Sequence, residues 1–138
     1  MSAERRFEAL AGAPLGPLQA LADEVLASGT PVEVLEGPEV VTAPLRLPIP
    51  GTEATTAVIG HVALTRCRVE LGSVRGDGHR PGRDLLGAVA AAICDAEAER
   101  DGPLAAAVEE LAAGSAAEGR ARSRERARHV SLTRMEGG

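Results

Sequence analysis

The chain has 138 residues, the length of one small domain, and a formal net charge of −5. The negative balance argues against a general nucleic-acid binder. Phe7 is the only aromatic residue and much of the apolar content is alanine. Because alanine side chains bury little area, the domain has a physical motive to recruit apolar surface from a partner.

The sequence also indicates where in the cell the protein is expected. No apolar run is long enough to cross a membrane, and residues 1–30 lack the basic-then-apolar layout of a signal peptide. We therefore expect a single domain over residues 1–138, in the cytoplasm, bound to neither membrane nor nucleic acid. Cys67 and Cys94 are expected to be reduced thiols in the core.

Two helices are predicted at the N-terminus. Ser2 is a typical helix cap, and the first helix should end near the break at 12–14. Pro17 suits the first turn of a second helix, which Gly29 ends. A short strand follows at Val32–Leu35.

Proline and glycine organise the next segment. Gly37 with Pro38 predicts a turn, followed by a strand at Val40–Leu47. Pro44 and Pro48 confine that strand to a sheet edge, because proline donates no ladder hydrogen bond.

The clearest strand pattern covers Thr55–Leu71. Its apolar positions are even-numbered up to Leu64 and odd-numbered from Cys67, which predicts a bulge near Arg66 or a strand buried on both faces. A glycine-rich connection is predicted to follow, at residues 72–82.

Helices are predicted in the remainder of the chain. Asp84 can cap a helix that ends before residue 101, and a second helix should cover Pro103–Ala113. Ser115 has the spacing of a capping box that opens a last helix. Val130–Met135 is predicted to be a short strand or an extended tail.

Helices at the N-terminus, middle and C-terminus thus bracket a small, mainly antiparallel sheet. This arrangement predicts the α+β class.

The segment Gly76–Asp84 resembles an anion cradle, since glycines before a helix N-terminus expose free N–H groups. The dinucleotide fingerprint fails because Pro81 stands at its third glycine, and the P-loop fails for want of a lysine. Asp84 would place a negative charge where the anion belongs, which Arg80 and Arg83 would have to offset. The simpler interpretation is a turn closed by a capping aspartate.

Two further chemistries remain open as alternatives. Cys94, with Asp95 and the three histidines, supplies the residue types of a thiol enzyme, although it lies on the predicted apolar face of its helix. No Cys-x-x-Cys or His-x-x-x-His spacing occurs, so no metal site is predicted.

The second alternative is an arginine-rich last helix, a binding module for polyanions within residues 116–138. It carries no aromatic residues for base stacking, and a solvated helix is the favoured interpretation of the pattern. Its arginines alternate along the chain: Arg120, Arg122, Arg124, Arg126 and Arg128.

A family resemblance goes further than these patterns. The run Val62–Leu71, which contains Leu-Thr-Arg-Cys, is followed at fixed spacing by Gly78 and by Gly-Arg-Asp at 82–84. This order resembles the PhnG family, the small subunit of the bacterial carbon–phosphorus lyase core complex. The family carries an aromatic residue where this chain has His79, and a lysine where it has Leu85.

The resemblance implies a non-catalytic subunit of a transferase complex in phosphonate catabolism. PhnI-like, PhnH-like, PhnJ-like and PhnL-like proteins would be its partners, and the PhnI-like subunit would carry the nucleosidase chemistry. The complex displaces adenine from ATP with a phosphonate, giving ribose 1-phosphonate 5-triphosphate. ATP is then a substrate of the complex, and this chain is expected to bind no cofactor.

No catalytic residue is predicted in this chain. If it reaches the substrate, Arg66, Arg68 and Arg83 are the expected anion contacts, while Asp84 has a structural role as the helix cap.

Overall fold

A computed structural model describes residues 1–51 and 55–137, with the backbone alone for residues 126–137. Three antiparallel strands form a sheet in the order β1-β2-β3. The predicted α+β class is confirmed. The elements in chain order are α1 (Ala3–Ala11), α2 (Leu15–Ala27), β1 (Val32–Pro48), β2 (Thr56–Leu71), β3 (Val74–Pro81), α3 (Leu85–Glu99) and α4 (Ala105–Gly137).

Helix α3 covers one face of the sheet, which we call the inner face, while α1 packs against β3 and α2 and α4 pack on α3. Cys67, Val69 and Leu71 of β2 are buried there against α3. The core also takes apolar side chains from α1, α2 and α4, such as Leu10, Leu18 and Val108. In the described part of the chain, no helix is both long enough and apolar enough to span a membrane.

The turn predicted at Gly37 and Pro38 is wrong, because both residues lie inside β1. They form a bulge between Glu36 and Glu39, where β2 has Cys67 alone. Gly37 has a φ of +77°, and its backbone lies against β2, so a bent but unbroken strand needs glycine there. The edge position predicted for β1 is confirmed.

Neither explanation offered for the change of parity in β2 is correct. The β2–β3 register is regular past Arg66, and the bulge opposite it belongs to β1. The residues of β2 before Thr65 are not covered by any described helix. Their apolar members Val62 and Leu64 lie on the outer face. The parity changes because the apolar residues of β2 lie on the inner face from Cys67 onward and on the outer face up to Leu64.

The connection predicted at residues 72–82 is wrong as well, because most of it is β3. Gly76 and Gly78 lie on the inner face, where the backbone of α3 passes directly over them. A Cβ at Gly76 would overlap the Ala92 carbonyl oxygen, and one at Gly78 would overlap the backbone at Ala88 and Ala92. These glycines therefore indicate close approach of a helix and not a loop.

The end of the chain is a single helix. The break after Ala113, the cap at Ser115 and the strand at Val130–Met135 are all wrong, since α4 continues to Gly137. Ser115 does not cap a helix, because its hydroxyl donates to the Ala9 carbonyl of α1 at 2.8 Å. A residue suited to start a helix is used here to bind two helices together.

We predict that Gly78→Ala destabilises the fold by about 3 kcal/mol or more, because the added methyl overlaps backbone atoms that cannot move aside. The measurement is the free energy of unfolding from urea titration. Gly114→Ala is the matched control in α4, where an added Cβ meets nothing within 4 Å. It should stabilise by up to about 1 kcal/mol. Equal small effects at both positions would contradict the close-approach explanation.

Candidate functional site

We call Leu-Thr-Arg-Cys at 64–67 and Gly-Arg-Asp at 82–84 the signature. Its two halves meet at Thr65. Its hydroxyl donates to the Gly82 carbonyl at 2.7 Å and accepts from the Asp84 N–H at 2.9 Å. Thr65 is fully buried. One threonine therefore joins Leu-Thr-Arg-Cys on β2 to Gly-Arg-Asp at the start of α3.

Asp84 is the N-cap of α3. One carboxylate oxygen accepts from the Gly87 N–H and the other from Arg80 Nε, both at 2.9 Å. Partial burial alone would raise the pKa of Asp84, but the hydrogen bonds from Arg80 and Gly87 lower it below its usual value. The helix N-terminus already holds an anionic group that belongs to the protein itself.

Arg80 does not serve an external anion. Its side chain is 10% exposed, and its Nη1 donates to the Leu10 and Ala13 carbonyls at 3.1 and 2.6 Å. These carbonyls lie at the end of α1, where helix acceptors lack partners. The guanidinium is thus committed to closing α1 against the start of α3.

A second buried arginine, Arg6, is part of α1. Arg6 Nε donates to Asp95 of α3 at 2.8 Å, and a terminal nitrogen donates to Glu99 at 2.7 Å. Burial alone would lower the pKa of Arg6, but the hydrogen bonds to these carboxylates raise it. Asp95 also accepts from the Asp77 N–H at 2.9 Å, so it covers part of the free edge of β3.

Burial raises the pKa of Asp95 and outweighs the lowering by the Asp77 N–H and Arg6. Arg6 lies 89 and 93 positions from Asp95 and Glu99 in the chain, and no local spacing marks the pairs. Sequence reasoning missed this cluster for that reason.

The three arginines predicted to contact substrate do not form one site. Arg66 and Arg68 lie on the outer face of the sheet, where Arg66 pairs with Glu39 at 2.8 Å. Arg68 pairs with Asp77 at 2.7 Å, a hydrogen bond that raises the pKa of its guanidinium. Arg83 is exposed in the turn before α3 and has no ion pair among the described residues.

A cavity of about 380 Å³ lies beside Arg66 and Arg68. It contains more carboxylates than guanidinium groups, so its charge is unsuited to a triphosphate or a phosphonate. Apart from the two arginines, its lining consists of Ala3, Glu4, Phe7, Glu36, Cys67, Asp77, Gly78 and Asp95.

Cys94 is fully buried, and its thiol lies 3.9 Å from the Leu18 carbonyl. Burial raises the pKa of Cys94 to about 12, with nearby Glu97 and Asp95 adding to the effect. A thiol with this pKa is protonated at neutral pH and is a poor nucleophile. The geometry therefore disfavours the thiol-enzyme alternative.

The remaining predicted groups lie apart from these clusters. Arg120, Arg122 and Arg124 are exposed on α4, while the side chains of Arg126 and Arg128 lie outside the described residues. Polyanion binding by this helix stays a prediction. Across residues 1–51 and 55–125, His, Cys, Asp and Glu side chains form no group of three suited to a metal ion.

The signature therefore fixes the fold at one place, the junction of β2, β3, α1 and α3. The family model for the phosphonate metabolism protein PhnG matches residues 2–136. The chain belongs to the PhnG family. No curated protein matches the chain as a relative.

The two departures from the PhnG pattern now have structural descriptions. His79 packs its ring against Phe7 of α1, with centroids 4.2 Å apart, so it occupies an aromatic environment. Burial lowers the pKa of His79, which favours the neutral ring. Leu85 is 40% exposed at the first position of α3 and adds to an apolar surface there.

We predict that Thr65→Val destabilises the protein by about 1 to 3 kcal/mol, because it removes the partner of two partly buried groups, the Gly82 carbonyl and the Asp84 N–H, at nearly constant volume. Urea unfolding gives this value. Thr42→Val, at an exposed β1 position, is the matched control and should change stability by less than about 0.5 kcal/mol. A loss no larger than that of the control would show that Thr65 does not hold the junction together.

The lowered pKa of Asp84 predicts that the free energy of unfolding depends on pH. Its pKa is lower in the folded state, so its contribution to stability is present above its unfolded pKa of about 4 and is lost as the pH falls through the folded value. The stability difference between wild type and Asp84→Asn should therefore be largest near neutral pH and shrink below about pH 4. Urea unfolding across pH 7 to 3 measures it.

Asp23→Asn, at an exposed helix position, controls for the loss of one negative charge. A difference between wild type and Asp84→Asn that grows as the pH falls would contradict the assigned sign.

Proposed function

We propose that this chain is a non-catalytic partner subunit of a complex that displaces adenine from ATP with a phosphonate. The product is ribose 1-phosphonate 5-triphosphate. Membership of the PhnG family over residues 2–136 implies a role in phosphonate metabolism. The reaction and the non-catalytic role are our proposal.

The hydrogen bonds made by the signature support a non-catalytic role. Its buried polar groups bind one another: Thr65 bridges Gly82 and Asp84, while Arg80 joins Asp84 to the end of α1. Catalytic groups need an atom free to meet the substrate. The signature thus supports a structural role for this subunit.

The proposed reaction needs chemical groups that other subunits would have to supply. Substitution at the anomeric carbon needs an acid for the departing adenine and cations for the triphosphate and phosphonate. The cavity beside Arg66 and Arg68 has an excess of carboxylates. We propose that a PhnI-like subunit supplies the nucleosidase chemistry, with PhnH-like, PhnJ-like and PhnL-like proteins in the same assembly.

If this chain contributes a cation to a shared site, Arg83 is the best placed of the three predicted arginines. Arg66 and Arg68 already pair with carboxylates of this chain, and each would have to exchange its partner for substrate. Arg83 is exposed beside the start of α3 without such a partner among the described residues.

We predict that the purified chain alone releases no adenine from ATP and methylphosphonate, while the assembled complex does. Omitting the chain should abolish assembly or turnover, and Cys94→Ala should leave turnover unchanged. Adenine release by chromatography is the measurement. Adenine release by the purified chain, lost on Cys94→Ala, would falsify the non-catalytic role.

The arginines can be tested in the same complex. Arg83→Ala should raise the KM for ATP or phosphonate about tenfold, since a hydrogen bond to a charged group is worth about 1.5 to 3 kcal/mol. Arg66→Ala and Arg68→Ala should have smaller effects. Arg75→Ala, at an exposed position of β3, is the matched control and should leave the KM within about twofold. Full activity with all three substitutions would remove the anion contacts from the proposal.

A further inference from the structure

The strands β1 and β2 extend well beyond the rest of the fold. The register of β3 along β2 ends at Leu64, whereas β1 pairs with β2 as far as Thr56. We call the part without a third strand, Thr42–Pro48 with Thr56–Ala63, the hairpin arm. None of its residues is buried. An isolated two-stranded hairpin is at best marginally stable in water, so an exposed arm of this length calls for an additional contact.

The outer face of the arm is apolar. Residues that pair directly across an antiparallel ladder share a face, so the register assigns each residue to one side. Leu45 and Leu47 are 43% and 49% exposed there, and Val62 is 40% exposed. The full set on this face is Ala43, Leu45, Leu47, Ala57, Gly60 and Val62, continued at the base by Val41 and Leu64.

The inner side of the arm is also partly apolar. Val58 is 47% exposed on this side, and Ile59, unpaired at a bulge, is 57% exposed. At the base, the Gly82 N–H donates to the Ala63 carbonyl, which brings the start of α3 next to the arm. Leu86, in the first turn of α3, is 66% exposed. Apolar surface thus lies on both sides of the arm.

We propose that the hairpin arm is a docking element that inserts into an apolar cleft of a different protein chain, which closes over both of its faces. This inference rests on the proposed function, since that chain would be another subunit of the phosphonate-processing complex. The arm contributes 15 residues, and its base and the start of α3 bring the surface close to the roughly 20 to 30 residues per side of a stable interface. A contiguous apolar surface of this kind is typical of an interaction site.

A second copy of this chain fits the arm poorly. Two arms packed face to face would cover their outer faces and leave Val58, on the inner side, in water. Two grooves of the described chain carry charged side chains beside their apolar lining. One of about 410 Å³ between α2 and α4 is bordered by Glu24, Glu110 and Glu118. Another of about 770 Å³ between α1 and α4 contains Glu4, Glu8 and three arginines.

The test uses the full chain, tagged and co-expressed with the PhnI-like, PhnH-like and PhnJ-like subunits of the same source. Leu45→Ser/Leu47→Ser alters the outer face of the arm, and Val58→Ser/Leu86→Ser alters the inner side. Each should reduce the co-purified subunits about tenfold or more. Leu15→Ser/Leu26→Ser is the matched control, because these leucines have comparable exposure on α2, away from the arm.

The control should capture the subunits as wild type does. Circular dichroism and the urea midpoint of the purified variants should match wild type, since the altered side chains are exposed. As a second measurement, backbone amides of the arm should exchange hydrogen more slowly in the complex than in the free chain, while those of α2 stay unchanged.

The outcomes separate the two proposals. Wild-type chain that captures no subunit overturns both the proposed function and the arm interface. Equal capture by wild type and the arm variants, with no added protection of the arm, overturns the interface alone and leaves the proposed function standing. A stable homodimer of the free chain that the outer-face variant converts to monomer would also overturn it, since the occupant would then be a second copy.

Discussion

The close approach of α3 to β3 is the constraint on which the rest of the fold depends. A chain with one aromatic residue and an alanine-rich core cannot fill the space between layers with large side chains. Dispersion contacts weaken steeply with a small gap, so the layers must come together. Gly76 and Gly78 permit this, because the α3 backbone at Ala92 occupies the space that their side chains would need. Once α3 lies at this depth, its buried alanines leave room for leucine and valine side chains of α2 and α4.

Buried arginines then connect elements that the apolar core holds only weakly. Arg80 joins the end of α1 to Asp84, and Arg6 joins the middle of α1 to Asp95. A buried charge is tolerated when it is paired and hydrogen-bonded, and both of these are. Residue types that resemble an anion site therefore serve the architecture.

The uncovered face of the sheet has two regions with different properties. Over the body of the domain it carries ion pairs such as Arg66 with Glu39, which suit contact with water. Along the hairpin arm it carries leucine and valine, which do not. The arm is therefore the part of the sheet that we propose another surface completes. That division is consistent with a protein that works as one part of an assembly.

Local chemistry was enough to predict several elements from sequence. Asp84 has the residue type of a helix cap, Gly29 adopts the positive φ that ends α2, and Pro44 and Pro48 predicted an edge strand. Each of these depends on a residue and its immediate neighbours, so the sequence alone carries the information. The order of Leu-Thr-Arg-Cys and Gly-Arg-Asp was likewise enough to recognise the family.

Distant partners decided the rest. Glycines at 76 and 78 are typical of a loop until a helix backbone lies against them, and then they belong to a strand. Ser115 is typical of a helix cap, but its hydroxyl donates a hydrogen bond to the Ala9 carbonyl. Arg80 is typical of an anion contact, but its guanidinium donates to the Leu10 and Ala13 carbonyls. By itself, the sequence determined the helix caps at Ser2 and Asp84, the edge strand and the family. Only the tertiary structure decided which polar groups were left for function, because hydrogen bonds between residues 67 to 106 positions apart leave no periodic trace in the chain.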